Sequence, residues 1–336
     1  MRVASEILWI RKNCSRSSSL ISDLCIMSVD QAIKWLFIGL IALINLILLS
    51  FCNIELQWTD LALPAFCGIL LGGFAIHYHL RGDEPLVLCM VSLIQMGCYT
   101  SMVVVTIYSG ISLAFPLTDH WLRAVDEWVG FSPVALVDWI RRHPHIENWS
   151  TWAYLFIVPE TLFTILALSF LGKRVLMEQF VLQFMLGTFF CAIVGTFLPA
   201  WGPIHGYGIS PSHWQQMYVD QLAALCSGNR FLLSWKETEG LITFPSFHTA
   251  WAVFLMLAWR QQTRWLSVPI SIISILIIIS TLTTGSHYLI DVIGGLVLAA
   301  ICFAISQRVT GIAYHADGSP RVIEVLNPSM YLRRAT

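Results

Sequence analysis

The chain has 336 residues, of which 57% are hydrophobic and 12% are charged, and its formal net charge is -1 at pH 7. A mean hydropathy of +0.71 excludes an ordinary water-soluble domain and places the chain in a lipid bilayer. The nine cysteines show neither the spacing of a disulfide framework nor that of a zinc site.

Residues 1–30 form a polar, basic N-terminal segment. Four basic residues stand near a run of serines, and these are Arg2, Arg11, Lys12 and Arg16. No compact apolar core with a small-residue cleavage site follows, so the segment is not typical of a signal peptide. We expect a cytoplasmic tail. Translation could start at Met1 or at Met27, since Met27 directly precedes the first apolar segment.

Eight apolar segments follow that are long enough, or nearly long enough, to cross a bilayer. A hydrocarbon core about 30 Å thick requires roughly 20 apolar residues in a helix. The segments lie near residues 31–52, 61–80, 85–108, 150–171, 177–198, 246–260, 267–284 and 286–306. The sequence therefore predicts an all-α integral membrane protein with about eight transmembrane helices and with interfacial helices in its outer loops.

The basic residues are distributed unevenly between the two sides of the membrane. With both termini in the cytoplasm, the inner loops and the tails hold most of the Lys and Arg residues. The other side holds only Arg123, Arg141, Arg142, Arg230 and Lys236. This asymmetry satisfies the positive-inside rule. We therefore expect cytoplasmic termini and two long extracytoplasmic loops, in a plasma or inner membrane.

The first long loop, residues 109–149, follows the three N-terminal spans in residues 31–108. It mixes tryptophans and aliphatic residues with charged ones, and such segments lie flat on a membrane. Ser132 and Pro133 have the pattern of a helix cap and a first-turn proline, which predicts an interfacial helix. We expect this segment to be a lid or a brace with no chemistry of its own.

The five remaining spans form the expected catalytic membrane domain, residues 150–306. It contains the second long loop, residues 199–245, which is rich in turn formers and holds a predicted short helix from Trp214 to Leu225. Residues 307–336 are expected to form a cytoplasmic tail.

Three ionisable residues stand at the starts of two late spans. His248 opens the sixth span, and His287 and Asp291 open the eighth. Their spacing of four residues predicts that His287 and Asp291 share one helical face and form a hydrogen bond. Ionisable residues at the edge of a membrane span are costly and mark function.

The local sequence also predicts how these two helices begin. Thr243 or Ser246 can cap the sixth span, and Pro245 suits its first turn. Both helices begin on the outer side, so their free N–H groups and positive dipole ends would face the same boundary as the histidines. This arrangement favours an anion site.

The two motifs, Pro-Ser-x-His and His-x-x-x-Asp, resemble those of the type 2 phosphatidic acid phosphatase superfamily. The matching residues are Pro245, Ser246, His248, Ser280, His287 and Asp291. Phe247 replaces the family glycine, Thr281 replaces the family arginine, and the first family motif has no recognisable form. The resemblance covers residues 150–306 well and the first three spans only through their general layout, and it implies a six-helix catalytic core.

The segment His-Tyr-x-x-Asp-Val looks more like the inositol phosphorylceramide synthase branch, whose members are inositolphosphotransferases. By this resemblance His287 attacks phosphorus and forms a phosphohistidine, and Asp291 orients His287. His248 then protonates the leaving oxygen and activates the acceptor.

The developing charge on the phosphoryl oxygens requires hydrogen-bond donors or cations. We expect Ser246 among the phosphate-binding residues. With the family Lys and Arg missing, Arg230 and Lys236 are the basic residues of the adjoining outer loop, and we expect them to clamp the phosphate. Their alternative role is that of solvated loop charges.

The predicted function is that of a membrane lipid phosphotransferase, without metal or cofactor. It would move phosphate or a phospho-head group from a phospholipid- or sphingolipid-type donor to an alcohol at the extracytoplasmic leaflet. With water as the acceptor, the enzyme would be a lipid phosphate phosphatase. We expect neither a nucleic-acid nor a protein partner.

Two further interpretations stay open. Two histidines and one aspartate could hold zinc in a metal-dependent hydrolase. Intramembrane His and Asp also occur in the proton relays of non-enzymatic transporters, although clustering at helix ends rather than at the midplane argues against a transporter.

Overall fold

The computed structural model describes residues 31–314 and 320–322. The expected N-terminal tail, both candidate start methionines and most of the expected C-terminal tail lie outside these residues. Within them the chain is almost entirely helical, with four strands of three residues each. The all-α fold is confirmed.

The helices include every predicted span. In chain order they are α1 (Gln31–Phe51), α2 (Ala62–Arg81), α3 (Glu84–Ser112), α4 (Asp119–Val129), α5 (Pro133–Arg141), α6 (Pro144–Leu155), α7 (Ile157–Phe170), α8 (Arg174–Phe197), α9 (Pro203–Gly206), α10 (His213–Cys226), α11 (Phe247–Trp259), α12 (Arg264–Thr283) and α13 (Leu289–Thr310). The strands are β1 (Ile54–Leu56), β2 (Phe231–Leu233), β3 (Ile312–Tyr314) and β4 (Pro320–Val322), and a 3-10 helix covers Trp58–Leu61.

Length and composition make this an integral membrane protein. Among the described residues, six helical segments are long and apolar enough to cross a bilayer, and the pair α6 and α7, bent by 41°, gives a seventh. Helix α11 is apolar but has only 13 residues. The predicted number of about eight spans is reached when the bent pair and this short helix are both included.

Helices α4 and α5 have the amphipathic character of membrane-surface helices. On α4, Trp121 and Trp128 are exposed while Leu122 and Asp126 are buried. Helix α5 begins as predicted, because the Ser132 hydroxyl accepts a hydrogen bond from the Ala135 N–H at 3.3 Å and Pro133 occupies the first turn. Tryptophans at the boundary between water and lipid are typical of such helices.

The core is formed by α3, the bent pair α6 and α7, α8, α11, α12 and α13. Helix α8 is central, because most of its residues are buried inside the protein. Lipid is as apolar as leucine, so helix association in a bilayer depends on close packing and on small residues. Gly187 on α8 illustrates this, because a Cβ there would meet the Phe254 ring of α11 at 2.8 Å.

A short parallel sheet ties the second long loop to the connection between α1 and α2. Strand β1 pairs with β2, with Ile54 opposite Phe231. Behind them Leu222 and Leu225 of α10 pack into a small buried cluster with Tyr108 of α3. This packing fixes the loop over the end of the bundle where α11 and α13 begin.

A buried ion pair lies at the opposite end of the bundle. Lys34 of α1 pairs with Glu178 of α8, and Gln31 donates a hydrogen bond to the same carboxylate at 2.6 Å. Gln95 of α3 then donates to the Gln31 side-chain oxygen at 2.7 Å. These contacts connect the first span to the core.

We predict that Glu178→Gln lowers the free energy of unfolding by about 3–5 kcal/mol, because it leaves the Lys34 ammonium buried without a countercharge. Thermal unfolding in detergent can be followed with a thiol-reactive dye that labels the buried Cys89, Cys191 and Cys302 as the protein opens.

The matched control is Glu127→Gln, which removes the exposed partner of Arg123 within α4. Exposed pairs contribute little to stability, so this variant should unfold like the wild type. Equal unfolding temperatures for Glu178→Gln and the control would contradict the prediction.

Candidate active site

Helix α11 begins at a serine cap that places His248 in its first turn. The Ser246 hydroxyl accepts a hydrogen bond from the Thr249 N–H at 3.3 Å. Pro245 precedes the cap, so the expectation of a first-turn proline is wrong. The Ser246 N–H donates to the main-chain carbonyl of Asp291 at 2.9 Å, which joins the starts of α11 and α13.

Helix α13 begins at Leu289, two residues after His287. The prediction that His287 and Asp291 share a face of one helix is therefore wrong. Tyr288 is the N-cap residue in an extended conformation, so His287 lies before the helix and only Asp291 lies in its first turn. The Asp291 carboxylate accepts the Tyr288 N–H at 2.8 Å. His287 lies outside the helix because Tyr288, the residue between His287 and Leu289, is the extended N-cap.

The imidazole of His287 is held at one nitrogen. Its Nδ1 lies 2.9 Å from the Thr243 carbonyl oxygen and 3.4 Å from Oδ2 of Asp291. A carbonyl oxygen can only accept, so Nδ1 carries the proton and Nε2 has the free lone pair. The expected contact with Asp291 is present, but Thr243 is the shorter partner.

Close packing of α13 against α11 keeps these groups together. A Cβ on Gly295 would lie 2.5 Å from the Ser246 carbonyl oxygen, and one on Gly294 would lie 2.7 Å from the Phe244 ring. Gly295 leaves room only for glycine because its neighbour is main chain, whereas a side chain at position 294 would displace the Phe244 ring. The pair of glycines therefore allows the main-chain contact between Ser246 and Asp291.

A cavity of about 490 Å³ lies at this end of the bundle and is lined by both histidines. Its apolar wall includes Ile107, Leu155, Trp201, Ile204, Val219, Leu241, Ile242 and Phe247. Its polar wall includes Thr151, Tyr154, Thr188, Gln215, Tyr218, Glu239, Thr243, Thr284 and Ser286. Among the described residues, no Lys or Arg lines it.

His248 is held against an aromatic ring in this cavity. Its imidazole stacks on Tyr154 of α6 with ring centroids 4.1 Å apart. The Tyr154 hydroxyl lies 3.3 Å from Nδ1 of His248. The bent α6 therefore reaches from the interfacial segment to the second histidine, a contact between residues 94 positions apart in the sequence.

The expected phosphate-binding residues are not brought to the cavity. Ser246 is fully buried as the α11 cap. Arg230 pairs with Glu55 on the exposed side of the β1–β2 sheet, and Lys236 lies 3.2 Å from Asp60 with most of its side chain exposed. In the structure the two basic residues are therefore paired loop charges outside the cavity lining, the alternative expected for them, and their role as a clamp stays a prediction.

The interpretation as a metal centre lacks a suitable ligand set. Across residues 31–314 and 320–322, no three His, Cys, Asp or Glu side chains converge in a way that could hold a metal ion. Asp291 contacts Nδ1 of His287, the same ring nitrogen that binds the Thr243 carbonyl.

Comparison with known families identifies the protein class. The family model of the PAP2 superfamily matches residues 120–305, more than half of the chain. The chain belongs to the PAP2 superfamily. This membership makes it a membrane enzyme of the phosphatase or phosphotransferase kind. No curated protein and no solved structure matches the chain.

The PAP2 match begins inside α4, earlier than the expected start of the catalytic domain at residue 150. Asp126 of α4 explains how this helix belongs to the site. Its buried carboxylate accepts the N–H groups of Leu289 at 3.0 Å and Ile290 at 3.2 Å. Burial raises the pKa of Asp126, and the two N–H groups oppose that shift.

A second carboxylate of α4 fixes the loop beside the site. Asp119 accepts the N–H groups of Trp201 at 2.9 Å and Gly202 at 3.0 Å. It also accepts the Tyr288 hydroxyl at 3.0 Å. Sequence reasoning missed both aspartates. Their spacing of seven residues, two turns on one face of an amphipathic helix, was the available signal.

These contacts change the expected anion site. The N–H groups at the start of α13 bind Asp126, so they are not available to a substrate phosphate. Through Asp119 and Asp126, the interfacial segment holds the second long loop and the start of α13 in place. This corresponds to the brace, one of the two roles expected for it.

We predict that Asp126→Ala lowers turnover of a lipid phosphoester on the order of ten- to a hundredfold, because it leaves two main-chain N–H groups at the start of α13 without their acceptor and loosens His287. The effect should fall on kcat more than on KM. Turnover by purified protein in detergent micelles measures it.

The control is Asp138→Ala, which removes an exposed carboxylate of the neighbouring interfacial helix α5. It should retain wild-type turnover. Asp126→Asn keeps one accepting oxygen and should lie between the two. Wild-type kcat in Asp126→Ala would show that α4 does not position the site.

Proposed function

We propose that this PAP2 enzyme is a lipid phosphotransferase that acts through a phosphohistidine on His287. The observation that carries the proposal is the state of the His287 ring. Its Nδ1 binds Thr243 and Asp291, which leaves Nε2 as a nucleophile, and His248 lines the same cavity. An oriented imidazole with a second histidine provides a nucleophile and an acid–base group.

The reaction would proceed in two displacements. In the first, Nε2 of His287 attacks phosphorus, the bond from phosphorus to the lipid oxygen breaks, and His248 gives its proton to that oxygen. In the second, the acceptor hydroxyl oxygen attacks phosphorus and the phosphorus–nitrogen bond breaks. His248 takes the hydroxyl proton and returns to its starting state.

Neutral donors would hold the phosphoryl oxygens. Thr284 and Ser286 line the cavity directly before His287, and their hydroxyls lie 2.9 Å apart. Tyr154 and Tyr218 add two further hydroxyls to the wall. Preorganised hydrogen-bond donors stabilise charge that develops in a transition state. We propose that these hydroxyls bind the phosphoryl oxygens in place of Arg230 and Lys236. The Thr284 and Tyr218 hydroxyls would have to exchange their present acceptors, the Ser280 and Ala200 carbonyls, for the phosphoryl oxygens.

The charge of the cavity favours transfer of a phospho-head group over simple dephosphorylation. A phosphate monoester carries roughly 1.5 to 2 negative charges at neutral pH. A phosphodiester carries one. A wall whose described residues include no Lys or Arg suits the diester, whose displacement yields a phospho-head group on His287. An alcohol acceptor also suits the largely apolar wall, and water as acceptor would give a phosphatase.

We further propose that the site faces the extracytoplasmic side. The support is the distribution of basic residues, which favours cytoplasmic termini. The resemblance of the His-Tyr-x-x-Asp-Val segment to inositol phosphorylceramide synthases supports transfer to a lipid alcohol.

We predict a phosphorylated adduct on His287 when purified protein is incubated with a phospholipid donor and quenched rapidly. Peptide mass spectrometry at neutral to basic pH detects it. His287→Ala should abolish turnover. Asp291→Asn should reduce kcat by roughly 10⁴-fold, as expected when an orienting carboxylate is lost.

The control is His145→Ala, which removes an exposed histidine of α6 and should change nothing. An adduct on His248 would exchange the two roles. Loss of turnover on chelation with recovery on zinc addition would replace the phosphohistidine mechanism by the metal-dependent one. Free phosphate instead of a new phospholipid would identify water as the acceptor.

A further inference from the structure

Glu239 lies in the wall of the cavity in a loop that is firmly held. Its main-chain N–H donates to the Tyr108 hydroxyl at 2.8 Å. That hydroxyl donates to the Gln221 side-chain oxygen at 2.5 Å, and the Gln221 amide donates to the Glu237 carbonyl at 2.5 Å. Tyr108 is buried in α3, so the main chain at Glu239 is fixed where this residue lines the cavity.

This carboxylate has no countercharge among the described residues. It is the one acidic side chain among the described residues that line the cavity, and no described Lys or Arg lines the cavity or pairs with it. Burial raises the pKa of Glu239. An unpaired carboxylate in a partly buried site is costly, so a cationic ligand group would be bound favourably there.

Aromatic rings share the wall with this carboxylate. Tyr154, Trp201 and Tyr218 line the same cavity, and aromatic faces attract cations. Tyr154 also stacks on His248. Tyr154 therefore places one aromatic ring directly beside His248, and Glu239 lines the same cavity.

We infer that Glu239 and these rings select a donor phospholipid whose head group carries a cationic ammonium group. The inference rests on the proposed phosphotransfer at His287. With such a head group the phosphodiester is zwitterionic, so its net charge is zero. An inositol head group leaves a net negative charge in a cavity that already contains Glu239 and, among its described lining residues, neither Lys nor Arg.

The test uses the purified full-length protein in nonionic-detergent micelles with one labelled donor at a time and one long-chain alcohol as acceptor. The donors are phosphatidylcholine, phosphatidylethanolamine and phosphatidylinositol. The wild type should use both ammonium donors with a kcat/KM at least about tenfold above that for phosphatidylinositol, a difference that one contact to a charged group can provide. The first two donors separate a quaternary from a primary ammonium.

Glu239→Gln should remove most of this preference, mainly through a higher KM for the ammonium donors. Glu239→Lys should reverse it. The matched control is Glu237→Gln, because Glu237 is exposed, lies two residues away and does not line the cavity. It should keep the wild-type preference.

A preference for phosphatidylinositol in the wild type, or an unchanged preference in Glu239→Gln, would overturn the inference and leave the phosphotransfer mechanism standing. Absence of turnover with every donor would contradict the proposed function instead. In that case equilibrium binding of the three lipids to the wild type and to Glu239→Gln still decides which head group the cavity selects.

Discussion

The hydrogen bond from the Ser246 N–H to the Asp291 carbonyl joins the two helix starts that carry the site. It requires main chains in close contact, and Gly295 permits this because any larger residue would meet the Ser246 carbonyl. In a bilayer such contacts matter more than apolar burial, since lipid competes equally for apolar side chains. The relative position of His248 and His287 follows from this single junction.

Local sequence signals were sufficient for much of the fold. Apolar segments of membrane length predicted the helices, and the Ser132-Pro133 pattern predicted the start of α5. The motif around His248 and the spacing of His287 and Asp291 predicted which residues lie together at one end. These signals depend on neighbours in the chain, on span length and on helix capping, all of which a sequence displays directly.

Contacts between distant segments were not predictable in the same way. Asp126 binds N–H groups 163 and 164 residues later in the chain. Its spacing from Asp119 shows that the two share a helical face, but nothing in its own neighbourhood indicates which distant groups that face contacts. Arg230 was expected at the site because it lies in the right loop. The β1–β2 pairing turns that part of the loop toward Glu55 instead. Loop membership sets which side a residue is on, but strand register sets what it contacts.

Thr281, which stands where the superfamily motif has an arginine, bears on how the site handles charge. At this position, where the superfamily resemblance places an arginine, the threonine is fully buried and its hydroxyl bonds to the Ile278 carbonyl within α12 at 2.7 Å. No cation therefore reaches the phosphoryl group from α12. On the proposed mechanism, a site with a buried threonine at this position and with Glu239 in its wall would suit phosphodiesters better than doubly charged monoesters. Its binding energy must then come from hydroxyl donors, from the apolar wall and from groups of the substrate other than the phosphate.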